Sequence, residues 1–374
     1  MSKYKIKDLA VEVSQRLENP QKSRYDKFVG LEHYNSGEVM ITRYGKTDNL
    51  NSSVKIFKKG DILIARRNVY LKRAGLVNFD GVTSGDSIVL RAHNDTIRRL
   101  LPFVFNTKEF WDYANQFADG SMSKRLSPKL LLEYEAELPD SDEEKNKLAN
   151  LLWSIFETMC SYKELLVLSD ELIKSQFIEM FDECKSCKLK ELAYISSGQS
   201  SPKETEFTNV GIPFIKAGNL EGLKLAEYEE KDCNLVNDFI INKYKLKLHK
   251  AGTILVAKSG MSCLSGHVYA LKNDAYVVSH LACIEPKNIL FSNFLKGFFL
   301  VNGTKSIIQD PSYPSIQLGA FENMDIPFDD GKKIIDYCNF INQIDRVKFI
   351  LRENISNLEI IYKRIMVNFL KKED

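Results

Sequence analysis

With 374 residues, of which 44% are hydrophobic and 27% charged, the chain is too large for a single small scaffold and too apolar for a disordered or fibrous protein. No apolar run approaches the roughly 18 residues of a membrane-spanning helix, and no N-terminal segment resembles a signal peptide, so we expect a cytoplasmic protein. The net charge of +2 hides an uneven distribution, because residues 1–139 carry +6 and residues 140–184 carry −7.

Residues 1–139 contain short β-branched and aromatic runs bounded by Gly, Asn, Asp or Lys, which predict a mixed, strand-rich domain. The clearest strands are residues 61–65 and 87–90, and a helical patch lies near residues 94–118.

Residues 140–184 carry apolar side chains at alternating spacings of four and three, the pattern of a coiled-coil seam. Gly and Pro are absent from residues 140–183, and residues 140–144 offer N-terminal caps and carboxylates that favour a helix start. A helix of about 40 residues would be about 60 Å long. The predicted seam residues are Leu148, Leu152, Ile155, Met159, Tyr162 and Leu166.

Residues 185–327 repeat the pattern of the first domain in the same order. Residues 59–66 resemble residues 251–258, where a glycine precedes an apolar strand, and residues 137–139 resemble residues 325–327. We therefore expect a second strand-rich domain, with a helical patch near its residues 288–300.

Residues 328–374 carry a second seam, displaced from the first by a constant 189 positions and interrupted by Lys348. A single coiled-coil seam is stable only with a partner, so we expect the two helices to pair with each other. The seam residues are Ile341, Ile344, Leu351, Ile355, Leu358 and Tyr362.

The expected fold class is α+β: two mixed, strand-rich domains in a tandem repeat, separated by a long antiparallel two-helix coiled coil. The expected boundaries are residues 1–139 and 185–327 for the domains, and residues 140–184 and 328–374 for the helices.

No sequence motif defines a catalytic or metal site. The glycine-rich nucleotide loop, His-Glu-x-x-His and Gly-x-Ser-x-Gly are all absent. Asp140 and Glu143 are too close in sequence to converge on a metal from separate strands, and a helix cap explains them better. Cys184 and Cys187 lack the second ligand pair of a zinc site, and seven irregularly spaced cysteines indicate a reducing compartment.

Residues 310–313, Asp-Pro-Ser-Tyr, resemble the Asp-Pro-Pro-Tyr motif with which adenine-N6 methyltransferases grip a flipped base. Ser312 replaces the second proline, and no glycine-rich loop for S-adenosylmethionine precedes the motif. A DNA-facing turn is favoured, and a stand-alone adenine-N6 DNA methyltransferase stays open as an alternative.

Two strand-rich domains, each followed by a long helix, resemble the specificity subunit of Type I restriction-modification systems. The resemblance covers nearly the whole chain. The first half departs from the family pattern, because residues 15–26 lack the Ser-Gly-x-Thr/Ser-Pro opening. The pieces that carry the resemblance are residues 60–64, 120–124, 138–139, 195–202, 211–216, 252–256, 315–318 and 326–327.

The resemblance implies a non-catalytic, sequence-specific DNA-binding subunit that takes part in DNA modification and phage defence. Each domain would be a target-recognition domain for one half of an asymmetric, bipartite site on double-stranded DNA, and the helices would set the spacing. Two methyltransferase subunits with S-adenosylmethionine, and through them restriction subunits with ATP and Mg²⁺, are the implied partners. No cofactor is expected in this chain. A specificity chain of another restriction or phage-defence assembly is an alternative.

Donor side chains at matching positions of the two domains are the candidates for DNA contact. Arg suits bidentate contact with guanine, worth about 1–3 kcal/mol, whereas phosphate neutralisation without base reading is an equal alternative. The first domain offers Arg66, Arg67, Lys72, Arg73, Ser84, Ser121, Lys124 and Arg125. The second offers Lys216, Asn219, Lys258, Ser259, His280, Lys305, Gln309, Ser312 and Tyr313.

The acidic helix segment is expected to stay off the DNA phosphates and to face basic partner surfaces. Its Glu143, Glu144 and Glu157 are therefore the candidate subunit-interface residues. A scaffold that bridges two proteins without touching DNA is a further alternative, and it would show no salt-dependent affinity for duplexes.

Overall fold

The computed structural model describes residues 2–48, 50–120, 123–225, 228–308, 310, 312, 314–328 and 331–370. The chain divides into two compact units. Unit 1 combines Met1–Tyr162 with Glu353–Asp374, and unit 2 is Lys163–Arg352. Each unit is mixed and strand-rich, as predicted.

Unit 1 contains twelve strands among its described residues, most of them short. They are β1 (Ser2–Lys5), β2 (Ala10–Glu12), β3 (Arg16–Leu17), β4 (Lys27–Val29), β5 (Met40–Ile41), β6 (Gly45–Lys46), β7 (Val54–Phe57), β8 (Ile62–Ala65), β9 (Ala74–Val77), β10 (Gly81–Thr83), β11 (Ser87–Ala92) and β12 (Glu135–Leu138). Its helices are α1 (Ile6–Leu9), α2 (Asp95–Val104), α3 (Lys108–Phe117), α4 (Pro128–Glu133), the first part of α5 (Asp142–Phe181) and the last part of α12 (Lys332–Leu370).

The strands of unit 1 form two five-stranded sheets, in the orders β3-β7-β10-β4-β6 and β2-β11-β8-β9-β5, and the pair β1-β12. Strand β8 is central and all four of its side chains are buried, because it consists of the apolar run Ile-Leu-Ile-Ala. Helices α2 and α3 begin where side chains cap them: Asn94 accepts from the Ile97 N–H over 2.9 Å, and Thr107 accepts from the Phe110 N–H over 3.2 Å.

Unit 2 contains nine strands among its described residues. They are β13 (Ser186–Lys188), β14 (Ala193–Ser197), β15 (Ile212–Ile215), β16 (Asn234–Val236), β17 (Ile254–Ala257), β18 (Val268–Ala270), β19 (Tyr276–Val277), β20 (Leu281–Pro286) and β21 (Asp325–Pro327). Its helices are the second part of α5, α6 (Leu189–Leu192), α7 (Asn219–Leu225), α8 (Asp238–Tyr244), α9 (Ser262–Ser265), α10 (Phe291–Asn302), α11 (Leu318–Glu322) and most of α12 (Lys332–Leu370).

The sheets of unit 2 repeat those of unit 1. The order β14-β20-β17-β18 matches β2-β11-β8-β9, and the pair β13-β21 matches β1-β12. The parallel pair β15-β19 matches the parallel pair β4-β10. Unit 2 therefore has the topology that the sequence repeat predicts, with a three-stranded sheet where unit 1 has five strands.

The glycine before the central strand shows the repeat at the level of single hydrogen bonds. Gly60 and Gly252 have φ angles of +91° and +87°, a region that favours glycine. The Gly60 N–H donates to the Val77 carbonyl over 2.8 Å, and the Gly252 N–H donates to the Leu271 carbonyl over 2.7 Å. The same turn therefore starts the central strand in both units.

The long helices α5 and α12 contain 40 and 39 residues. Ser141 caps α5, because its hydroxyl accepts from the Glu144 N–H over 3.2 Å. Asp329 and Asp330, the acidic residues that precede α12 in the sequence, lie outside the described residues. The four-part division of the chain proposed from the sequence stays a prediction.

The two long helices contribute to the core of each unit. In unit 1, Leu152 and Trp153 of α5 share a hydrophobic core with Tyr362 of α12. In unit 2, the Tyr337 hydroxyl of α12 donates to the Ile173 carbonyl of α5 over 3.1 Å. The start of α5 packs with the end of α12, and the end of α5 with the start of α12, which is the order of an antiparallel pair.

The predicted seam residues of α5 and α12 are all buried or half-buried. Lys348, which interrupts the second seam, is buried as well, with 7% of its surface exposed. Its ammonium group forms an ion pair with the Asp170 carboxylate in unit 2. A buried polar position in the seam is thus satisfied by a partner on the facing helix.

Candidate nucleic-acid interface

Three loops of unit 1 meet at the end of strand β8. The backbone N–H of Arg66 donates to the Asp86 carbonyl over 2.9 Å. The N–H of Leu126 donates to the Arg66 carbonyl over 2.9 Å, and the N–H of Asn68 donates to the Lys124 carbonyl over 2.8 Å. These bonds bring Arg66, Lys124 and their neighbours to one edge of the unit.

Two exposed guanidinium groups at this edge are oriented by one carboxylate. Arg67 Nη1 lies 3.5 Å from Asp86 Oδ2, and Arg125 Nη2 lies 3.4 Å from Asp86 Oδ1. Arg67 Nε also donates to the Ser123 hydroxyl over 3.0 Å. The planar guanidinium groups are therefore held in place and still exposed, as recognition of base edges requires.

The remaining candidates of unit 1 have different surroundings. Arg73 donates to the carbonyls of Leu31 and Arg67 over 3.0 and 3.2 Å, and burial lowers the pKa of its guanidinium group. Lys72 is exposed, and Ser84 accepts from the Asp86 N–H over 3.3 Å within a turn. Arg73 thus supports the loop, whereas the Lys72 side chain extends into solvent. Ser121 lies outside the described residues.

Unit 2 places a different set of side chains at the matching edge. The N–H of Lys258 donates to the His280 carbonyl over 2.9 Å, and the N–H of Ile316 donates to the Lys258 carbonyl over 2.8 Å. These bonds match those of Arg66 in unit 1, so His280 stands where unit 1 has Asp86. The Ser259 hydroxyl is hydrogen-bonded to His280 Nδ1 over 2.6 Å.

Lys216 and Asn219 follow strand β15. The Val278 N–H donates to the Ile215 carbonyl over 2.9 Å, and this bond joins the end of β15 to the same edge. Lys216 Nζ donates to Glu204 over 2.6 Å, and this bond holds the pKa of the Glu204 carboxyl below its usual value. The Asn219 side chain accepts from the Lys216 N–H over 2.8 Å.

The last candidates of unit 2 lie in the segment before helix α11. The N–H of Gly260 donates to the Pro314 carbonyl over 2.9 Å, which places the loop after β17 beside that segment. Lys305 is exposed in the short 3-10 turn Lys305–Ile307, and the Ser312 N–H donates to Asp310 Oδ1 over 2.8 Å. Gln309 and Tyr313 lie outside the described residues.

Sequence reasoning missed two residues that organise these edges. Asp86 orients Arg67 and Arg125, and its match to His280 was the pattern that could have identified it. Gln199 joins the segment after strand β14 to the loop that contains His280, because the Ser279 N–H donates to the Gln199 carbonyl over 2.7 Å.

The long helices carry a second set of exposed side chains in each unit. Glu143, Glu144 and Glu157 are exposed, and Glu143 forms an ion pair with Lys147 over 2.6 Å. Large apolar side chains are exposed there too, each between 43% and 62%. They are Leu151, Ile360, Ile361 and Val367 in unit 1, and Leu165, Val167, Leu168, Leu172, Ile178, Ile335, Val347, Phe349 and Ile350 in unit 2.

Within the residues that the structure describes, no three His, Cys, Asp or Glu side chains are grouped so that they could hold a metal ion. None of the helices in the described part of the chain combines the length and the hydropathy needed to cross a bilayer.

Comparison with known proteins agrees with this arrangement. Residues 182–358 match the family model of the Type I restriction modification DNA specificity domain. The specificity subunit of the Type I restriction enzyme MjaIX of Methanocaldococcus jannaschii is 27% identical over 305 residues, which cover 72% of this chain and 67% of that protein.

Two solved structures share the fold. The S subunit of the Type I restriction-modification system of M. genitalium superposes with a TM-score of 0.59 at 15% identity, over 100% of this chain and 96% of that one. A chain from a type I R-M system, solved to describe complex assembly and conformational transition, gives a TM-score of 0.54 at 16% identity, over 99% and 97%.

The repeated units and their donor-rich edges define a modular DNA-recognition protein. The chain is similar in sequence and in fold to the specificity subunits of Type I restriction-modification systems. Members of this family recognise DNA sequence and are not themselves catalytic, so residues 310–313 are not assigned a methyltransferase role.

Proposed function

We propose that each unit reads one half of an asymmetric, bipartite DNA site. The observation that supports this is the difference between the matching edges: Arg67 and Asp86 in unit 1 stand where unit 2 has Ser259 and His280. Because donor and acceptor patterns select base pairs in the major groove, two different sets select two different half-sites.

The direct test is selection of duplexes from a random library by the purified full chain. We expect enrichment of two short, unlike sequence elements at a fixed separation. The edge residues supply the specificity, and phosphate contacts supply affinity that falls with salt. Enrichment of a single continuous element, or of none, would contradict the proposal.

The chain's partners in this proposal are two methyltransferase subunits, which carry S-adenosylmethionine, and restriction subunits that use ATP and Mg²⁺. The long helices would fix the spacing of the half-sites. The division of the chain into two domains and two helices would thus separate recognition from spacing. The complex would act in the cytoplasm. The exposed apolar side chains of the long helices support subunit docking, because exposed apolar surface of this kind marks interaction sites.

Copurification with the methyltransferase subunit tests the docking surface. Leu168→Glu places a charge among exposed apolar side chains and should abolish the complex. Ser161→Glu adds the same charge at an exposed polar position of the same helix and should leave the complex intact. Glu143→Lys, Glu144→Lys and Glu157→Lys, combined in one variant, should weaken assembly. Complexes of equal yield for all variants would refute this surface.

A further inference from the structure

A cleft of about 280 Å³ opens in unit 1 beside the edge that carries Arg66. It is bounded by residues from strands β2, β3 and β7 and by the loops after β8 and β10. Its charged lining consists of Arg16, Lys55, Arg66 and Glu12. Three cations therefore share the cleft with a single carboxylate.

Lys55 is the buried member of this cluster, with 8% of its surface exposed. Its ammonium group donates to the Ser87 carbonyl over 3.0 Å and lies 3.7 Å from Glu12 Oε1. Burial lowers the pKa of Lys55, and the charges of Arg66 and Arg16 lower it further against the opposing effect of Glu12. Glu12 thus compensates the positive charge only in part.

Arg66 contributes a side-chain donor that the described part of the protein leaves unused. Its backbone N–H and carbonyl are both hydrogen-bonded, to Asp86 and Leu126, so the residue is fixed in place. Its Nε is buried and has no hydrogen-bond partner within the described part of the chain. Buried donors of this kind are stabilised by an acceptor, and a charged acceptor stabilises them most.

We propose that this cleft binds one phosphate group of the DNA backbone, which accepts hydrogen bonds from Lys55 and Arg66. Arg and Lys side chains are donors only, and the cleft has more cations than carboxylates, so a negatively charged phosphate group compensates this charge whereas the neutral edge of a base does not. The inference rests on the proposed DNA-binding function and assigns Arg66 to holding the duplex, while Arg67 and Arg125 remain free to read bases.

The test is Lys55→Met in the full chain, measured by fluorescence anisotropy on a cognate and a scrambled duplex over a range of salt concentrations. Methionine retains the buried apolar stem and removes the charge. We expect binding to both duplexes to weaken roughly tenfold, as for loss of a charged hydrogen bond. The slope of log K against log salt should fall by about 0.9, as for one phosphate contact.

Two further variants control this experiment. Lys58→Met removes one charge from an exposed lysine of the same unit that does not line the cleft, and it should change neither affinity nor slope. Arg16→Gln alters an exposed cleft residue, which limits any effect on folding, and it should reproduce the uniform loss and the lower slope.

Several results would overturn the inference. Wild-type duplex affinity in both Lys55→Met and Arg16→Gln would overturn it. A loss of affinity confined to the cognate duplex would overturn it as well. Inorganic phosphate that binds the wild type but not Lys55→Met, with unchanged duplex affinity, would assign the cleft to free phosphate. A wild-type chain that bound no duplex at any salt would instead remove the proposed function as well.

Discussion

Arg67 and Arg125 differ from the other cations of unit 1 because both are exposed and both are oriented by Asp86, over 3.5 and 3.4 Å. A guanidinium group that is already positioned loses less side-chain entropy when it forms a bidentate contact with guanine. Lys72 is exposed, and within the described residues no carboxylate orients its ammonium group. The two kinds of residue should therefore affect binding differently.

Arg67→Ala should lower affinity for the cognate duplex by about 1–3 kcal/mol and relax the preference at one base position. Lys72→Ala should weaken binding to all sequences alike and reduce the salt slope by about one. Competition between cognate and singly substituted duplexes measures both effects. Equal losses of both variants on cognate and scrambled DNA would remove the assignment of Arg67 to base reading.

His249 is fully buried in unit 2, and neither ring nitrogen has a hydrogen-bond partner within the described residues. Burial and the nearby Lys247 charge lower its pKa to about 4. The unfolded chain takes up a proton near pH 6.5, whereas the folded chain stays neutral down to about pH 4. The contribution of neutral His249 to stability is therefore fully present above pH 6.5, and it is lost as the pH falls from 6.5 towards 4.

We expect His249 to reduce the free energy of unfolding by about 2 kcal/mol between about pH 7.5 and about pH 5. His249→Leu removes the titrating group from the buried site and should remove that part of the pH dependence. Urea unfolding of both proteins at the two pH values measures the difference. An identical pH dependence in the variant would show that His249 does not cause the loss.

At the scale of elements, α5 and α12 form a buried ionic contact between Lys348 and Asp170 in unit 2. Asp170→Ala leaves the buried ammonium group without its partner and should lower the free energy of unfolding by about 2 kcal/mol, a value reduced because Asp170 is one-third exposed. Lys348→Met leaves no buried charge and should cost much less. Thermal unfolding compares the variants, and equal costs would contradict this explanation.

The elements that the sequence predicted correctly are those defined by local pattern. The alternation of four and three along residues 140–183 predicted α5, and the glycine followed by an apolar run predicted β8 and β17. Short strands such as β3 and β6 carry no such pattern, because two residues form a strand only through distant partners. The cleft around Lys55 depends on these non-local pairings, so the sequence could not indicate it.

At the scale of the whole molecule, the sequence repeat predicted which positions of the two units correspond. It did not predict the roles of the residues at those positions. The match of residues 59–66 to residues 251–258 placed Arg66 and Lys258 at equivalent edges, and the hydrogen bonds agree. The roles of individual cations followed only from their partners: Arg73 donates to two carbonyls, while Arg67 is exposed and oriented. Such differences depend on loop conformation, which no spacing in the sequence encodes.

The most direct test of the central claim is a map of methylated adenines in DNA from cells that coexpress this chain with the methyltransferase subunit proposed as its partner. We expect one bipartite site with two unlike halves. Arg67→Ala should alter only one half, and His280→Ala only the other, because these residues lie on different units. A single continuous recognition sequence, or two variants that alter the same half, would contradict it.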